Sequence, residues 1–159
     1  MFRIGYGEDI HQLTENRELK IGGIQIPSNL GGKAHSDGDV LLHALVDALL
    51  GALALGDIGE YFSDSDPQYL NKESSFFVIE TLKLIAKKGY HLVNVDSFII
   101  LENIKLKNYK KMIQENVANL LNLSIDAVSV KAGTNEKMDA AGEGKCIIAK
   151  VIVLLERDK

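Results

Sequence analysis

Asp9, His11 and His43 are the residues whose types and spacing best fit chemistry at a metal ion. Asp9 and His11 stand two apart in a strand-like stretch, so both side chains leave the same face of a sheet. His43 interrupts a helical stretch that is otherwise almost entirely apolar. A buried imidazole is costly unless it is hydrogen-bonded or bound to a metal. Two imidazoles and one carboxylate leave a fourth position free on zinc, the pattern of an open, catalytic centre. A plainer reading stands beside this one. Asp-x-His arises on strands by chance, and a single helix histidine is often a satisfied core residue. Asp47, one helical turn after His43, either orients that imidazole or is a structural acid bonded to backbone.

The elements that must position these groups follow from the hydrophobic pattern. Residues 3–11 read as a strand, and Leu19-Lys20-Ile21 and Ile24-Gln25-Ile26 flank a Gly22-Gly23 hairpin turn. A helix is predicted over 40–55, with Ser36 or Asp37 as its N-cap, and its nearly all-round apolar surface argues for burial. Residues 57–67 read as a polar loop. A second helix starts from a Ser74 or Ser75 cap and stops at Gly89. A strand over 91–101, a third helix over 109–121, and strands over 127–132 and 146–155 complete the chain, with a polar loop over 133–145. The expected fold is a single-domain α/β sandwich spanning 1–159, its mixed sheet covered by helices mainly on one face.

Composition narrows the function. The chain has 159 residues, 46% hydrophobic and 25% charged, the profile of a globular protein. No apolar run reaches the length of a membrane span, and the N-terminal residues run straight into strand-like sequence, without the pattern of a targeting peptide. The expected compartment is the cytoplasm, with a plastid-type organelle as the alternative where a transit peptide has been removed. The one cysteine, Cys146, reads as a small core hydrophobe in a reducing setting. A net charge of −4 without a basic tract argues against nucleic acid. If the substrate is a polyanion, divalent metals are the obvious source of positive charge.

The run His35-Ser36-Asp37-Gly38-Asp39-Val40, then His43-Ala44-Leu45, then Leu50 through Gly59, resembles the signature of the methylerythritol cyclodiphosphate synthase family. Gly5-Tyr6-Gly7-Glu8-Asp9-Ile10-His11 is similar to that family's first metal-binding strand, and Phe62-Ser63-Asp64-Ser65-Asp66-Pro67 to its acidic loop. Lys87-Lys88-Gly89-Tyr90 and Val130-Lys131-Ala132-Gly133-Thr134-Asn135-Glu136-Lys137 follow in the same order.

The resemblance implies a homotrimer with active sites between subunits. It also implies a cytidine diphosphate-linked substrate, 4-diphosphocytidyl-2-C-methyl-D-erythritol 2-phosphate. The 2-phosphate attacks the β-phosphorus, CMP leaves, and a cyclic diphosphate forms. Asp9, His11 and His43 would hold zinc or another divalent transition metal, and Glu136 would contact magnesium or manganese. His35 and Thr134 match the residues that stabilise the transition state, as hydrogen-bond donors to phosphate oxygens. Ser36, at the helix start, would meet a phosphate. Asp57 and Gly59 fall at ribose-contacting positions, and Ile58 between them would be a further substrate contact. Lys105 and Leu106 fall in the segment binding cytosine, Gly133, Thr134, Asn135 and Glu136 would be further substrate contacts, and Phe62, Ser63, Asp64, Ser65 and Asp66 would contact the methylerythritol part. Asp9 and His11 also count among the substrate contacts.

Some positions depart from the pattern. Ala140 and Glu143 stand where many members carry Phe and Arg, so those two contacts are not carried over. Glu8, Ser63 and Ile104 replace an apolar residue and two prolines. Two other functions are compatible with the same residues: a zinc-dependent phosphate-ester hydrolase, and a non-catalytic trimer that binds nucleotides or isoprenoid diphosphates.

Overall fold

In the computed structural model, which describes all residues Met1–Lys159, the longest strand pair organises the chain. Strand β1 (Phe2–Thr14) runs antiparallel to β7 (Cys146–Arg157), in register from Phe2 opposite Glu156 to Gln12 opposite Cys146. On the other side of β7 lies β5 (Tyr90–Ile100), antiparallel to it, and then β6 (Val128–Gly133), parallel to β5. The two-residue β4 (Gly31–Gly32) pairs with the far end of β1, giving the sheet order β4-β1-β7-β5-β6. The hairpin of β2 (Leu19–Ile21) and β3 (Ile24–Ile26) forms a separate small sheet. Gly22 and Gly23 turn it with positive φ at both positions, which glycine adopts without strain.

Helices α1 (Val40–Ala52), α3 (Ser74–Lys87) and α4 (Lys110–Leu121) pack on one face of the main sheet. Strand alternation sorts the residues accordingly. Ile147, Ala149, Val151, Val153 and Leu155 of β7 are fully buried beneath the helices, whereas Ile4, Tyr6, Ile10, Phe98 and Ile152 stand exposed on the opposite face. The mixed sheet covered on one side is as the pattern predicts.

Helix α1 lies closest to β1, and the sequence allows it. Gly5 and Gly7 face the helix, and a Cβ built on them would fall 1.8 Å from the Ala48 carbonyl and 2.0 Å from that of Ala44. Glycine on the strand against alanine on the helix brings His43 down to the level of Asp9 and His11.

Several local expectations are corrected. Asp39, rather than Ser36 or Asp37, caps α1: one of its carboxylate oxygens accepts from Leu42 N–H, and the pair together also accept from Gly22 and Gly23 N–H. Glu73 occupies the N-cap position of α3 without a side-chain bond, because the Ser74 hydroxyl is turned inward. Residues 57–67 are not all loop: Asp57 caps the short helix α2 (Ile58–Tyr61). The 133–145 segment likewise contains α5 (Asp139–Gly142). Helix α1 ends at Ala52, not at residue 55.

Candidate metal centre and its cleft

Asp9 and His11 leave β1 on the helix-facing side, and His43 comes down from the second turn of α1 to meet them. His11 Nε2 lies 2.8 Å and His43 Nδ1 3.2 Å from the same oxygen of Asp9, and the two imidazole nitrogens are 3.3 Å apart. One donor atom from each residue falls within 4.8 Å of the others. His11 Nδ1 donates to the Gly38 carbonyl at 2.9 Å, so its Nε2 is free to present a lone pair to the shared point. Two nitrogen donors and a carboxylate converging this tightly suit a divalent transition ion, and the residues fit the group.

Burial opposes ionisation of Asp9, yet the hydrogen bonds and charges of His11 and His43 outweigh it and hold the carboxyl well below its usual range. Burial likewise opposes protonation of His11, but the Asp9 hydrogen bond and charge, with the Gly38 carbonyl, raise it above its ordinary value. The cluster therefore attracts positive charge.

The cluster opens into a cleft of about 370 Å³ lined by His35, Ser36, Ile58, Gly59, Phe62 and Asp64 together with the three metal-type residues. His35 Nε2 donates to the Asp66 carbonyl at 3.1 Å, which ties the start of the signature run to the acidic loop. Ser63 and Ser65 hydroxyls bond to each other at 2.8 Å. Phe62 packs 4.9 Å from the Phe77 ring and 5.8 Å from that of Tyr69, anchoring the loop over the cleft.

The remaining expected residues are not brought here. Gly133 at the end of β6 and Thr134, Asn135 and Glu136 after it lie outside the cleft lining, with Thr134 Oγ1 3.4 Å from Glu136 Oε1. Glu102 accepts from the backbone N–H of Asn135 and Lys137 and holds that turn. Lys105 is exposed nearby, and the Leu106 side chain is buried in the core, leaving only its backbone for a ligand. Asp47 accepts from the Ile58 N–H at 2.7 Å; of its two readings, the structural one matches. His91 is exposed and bonded to Asp158, and Cys146 is buried with its thiol pKa raised by burial.

Sequence reasoning did not single out Lys33, Tyr69 or Phe77 for the cleft, nor Ser74 for its 2.8 Å contact with His43 Nε2. Ser74 was legible only as a helix cap, because its partner lies 31 residues away.

Fold and centre together define an α/β protein with an open carboxylate–imidazole metal-type site on one side of a mixed sheet. The model of the YgbB family matches residues 2–156. The 2-C-methyl-D-erythritol 2,4-cyclodiphosphate synthase of Chloroherpeton thalassium is 50% identical over 155 residues, covering 98% of this chain and 99% of that protein. Among solved structures, the bifunctional IspDF of Campylobacter jejuni superposes with a TM-score of 0.95 at 38% identity, over 99% of this chain and 42% of that longer one. The CDP complex of Plasmodium falciparum IspF superposes with a TM-score of 0.86 at 37% identity, over 99% of this chain and 97% of that one. The chain belongs to the YgbB family.

Proposed function

We propose that this protein converts 4-diphosphocytidyl-2-C-methyl-D-erythritol 2-phosphate into 2-C-methyl-D-erythritol 2,4-cyclodiphosphate and CMP, as a phosphorus–oxygen lyase acting by metal-assisted intramolecular phosphoryl transfer. The convergence of Asp9, His11 and His43 beside a cleft, in a chain half identical to a cyclodiphosphate synthase over nearly its whole length, carries the reading. Its nucleotide part is supported by the CDP complex of the Plasmodium falciparum relative.

Zinc, or another divalent transition ion, would be held by Asp9, His11 and His43 and would supply Lewis acidity at a phosphoryl oxygen. His35, Ser36 and the backbone N–H groups beside them offer hydrogen bonds to the phosphates. Phe62 and Ile58 give the cleft an apolar side against which the methylerythritol carbons can rest, with the loop of Ser63, Asp64, Ser65 and Asp66 over it. Asp57 and Gly59 would contact the ribose. Because the 2-phosphate is already part of the substrate, the protein need only orient it, which makes positioning the main catalytic task.

Thr134, Glu136, Lys105 and the neighbouring backbone complete the site from an adjacent subunit of a homotrimer, with Glu136 holding magnesium or manganese. Two observations support this arrangement. None of these residues lines the cleft of its own chain. The uncovered sheet face carries Ile4, Tyr6, Ile10 and Ile152, a patch that a monomer would leave in water. We place the protein, as one catalytic domain over 1–159, in the cytoplasm or a plastid-type organelle.

A chelator tests the metal requirement. CMP release stops after dialysis against a strong chelator and returns with zinc plus magnesium. Turnover that persists at full rate in the stripped protein contradicts the reading.

A further inference from the structure

His43 has two ring nitrogens, and the metal reading uses only Nδ1, the one that faces Asp9 and His11. Its other nitrogen, Nε2, lies between the hydroxyls of Ser74 at 2.8 Å and Ser36 at 3.0 Å. The two hydroxyls differ. Ser74 is fully buried at the first turn of α3, and its Oγ lies in hydrogen-bond contact with Asp37 Oδ1. Asp37 is fixed in turn, accepting from the Ser74 N–H and the Asp39 N–H, each at 3.1 Å.

A carboxylate has only acceptors to offer, so the Ser74 hydroxyl must spend its hydrogen on Asp37. What remains at Ser74 Oγ toward His43 is lone pairs. Nε2 must then carry the proton and donate, and in a neutral imidazole the lone pair is left at Nδ1. Ser36 imposes no such choice, because its hydroxyl hydrogen has no carboxylate to hold it; its Oγ accepts weakly from the Gly38 N–H at 3.4 Å.

We propose that Ser74, held by Asp37, is a positioning residue that locks His43 in the Nε2–H tautomer and so makes Nδ1 its metal-donor atom. This deepens the proposed function and rests on its metal centre. The chain Asp37–Ser74–His43 mirrors what the Gly38 carbonyl does for His11: each imidazole has its outer nitrogen committed, so the inner nitrogen of each is the one left to donate to a cation at the point shared with Asp9. It also gives Asp37 a role distinct from the capping predicted for it. The expected weight is that of other groups that orient metal-bound histidines, about 10–100-fold in affinity.

The test uses the full chain in wild-type, Ser74→Ala, Ser74→Thr, Asp37→Asn and Ser36→Ala forms, with thermal melts to establish folding. Zinc affinity is read by competition with a chromophoric chelator, and the His43 tautomer by long-range proton–nitrogen correlation NMR of the zinc-bound protein. Ser74→Ala and Asp37→Asn are expected to weaken zinc binding about tenfold or more and to lose the protected Nε2–H signal. Ser74→Thr restores both, and Ser36→Ala keeps the Nε2–H signal. Wild-type zinc affinity together with an unchanged Nε2–H signal in either folded variant, Ser74→Ala or Asp37→Asn, overturns the proposal. If the wild type itself binds no zinc, the metal reading fails instead; the tautomer in the metal-free proteins then still decides whether Ser74 and Asp37 hold Nε2–H.

Discussion

Asp9 sits between two imidazoles, and its shared oxygen is the point at which the site either holds a cation or strains against itself. Removing His43 leaves two donors, too few for a closed grip on a transition metal. His43→Ala is therefore expected to lose tight zinc binding and turnover together, as read by metal analysis after dialysis and by CMP release. Thr134 is a different case, because it is exposed and its side-chain hydrogen bonds are to Glu136 in its own turn. If it donates to the phosphates in the transition state, Thr134→Ala lowers kcat about 10²–10³-fold while the melting temperature and zinc content stay put. An unchanged kcat would remove Thr134 from the catalytic set. At this scale the sequence was informative wherever spacing is local. The period-2 pair Asp9 and His11, and a polar residue in an apolar helix at 43, could be read directly. Ser74 and Phe77 could not, since they reach His43 only after α3 folds back over α1.

The metal-type residues owe their geometry to how two elements approach. With Gly5 and Gly7 against Ala44 and Ala48, α1 rides close on β1. Gly7→Ala forces the helix outward, with an overpacking cost of about 1–3 kcal/mol and a weaker zinc site, because His43 moves away from Asp9. Urea unfolding and the zinc competition assay read the two effects, and loss of stability with unaltered zinc affinity would separate the packing from the site. The other end of α1 is pinned by Asp39. Burial pushes its carboxyl above the usual range, against the pull of the Gly23, Leu42 and Gly22 N–H groups. The native state thus releases this proton less readily than the unfolded chain does. Its contribution to stability is full below the ordinary carboxyl pKa and is lost as pH rises through the raised native value. Asp39→Asn, which cannot ionise, is expected to flatten that fall in urea titrations run upward from the ordinary carboxyl range; an unchanged slope would assign it to another group. The N-cap itself was misread at Ser36 or Asp37 because three of the candidate residues 36–39 are capping types, and only the long-range bonds from Gly22 and Gly23 single out Asp39. The order of the long strands and helices, by contrast, was legible from their hydrophobic patterns, whereas the two-residue β4 was not. The short helices α2 and α5 were not, as four residues give no periodicity to read.

Across the whole molecule, the proposed function divides its site between two places on one chain: the cleft on one side of the sheet, and the Thr134–Glu136 turn beyond β6. In the proposed homotrimer an adjacent subunit would join them, and the uncovered sheet face with Ile4, Tyr6 and Ile152 is a surface the assembly would bury. Two inactive variants then repair each other. Mixing His43→Ala with Thr134→Ala under conditions that exchange subunits is expected to recover part of the wild-type rate, because some interfaces unite an intact cleft with an intact turn. No recovery, with subunit exchange confirmed by sedimentation of a tagged form, contradicts a shared site. Glu136 and Lys137, with positive φ at consecutive non-glycine positions, mark that turn as held in a strained shape, consistent with a part kept for ligands rather than for packing.

The most direct measurement of the central claim is phosphorus NMR of the purified protein with 4-diphosphocytidyl-2-C-methyl-D-erythritol 2-phosphate, zinc and magnesium. The account predicts equimolar CMP and cyclic diphosphate, and neither with His43→Ala. Inorganic phosphate or a linear diphosphate as the product, or an intact substrate in the presence of both metals, would contradict it.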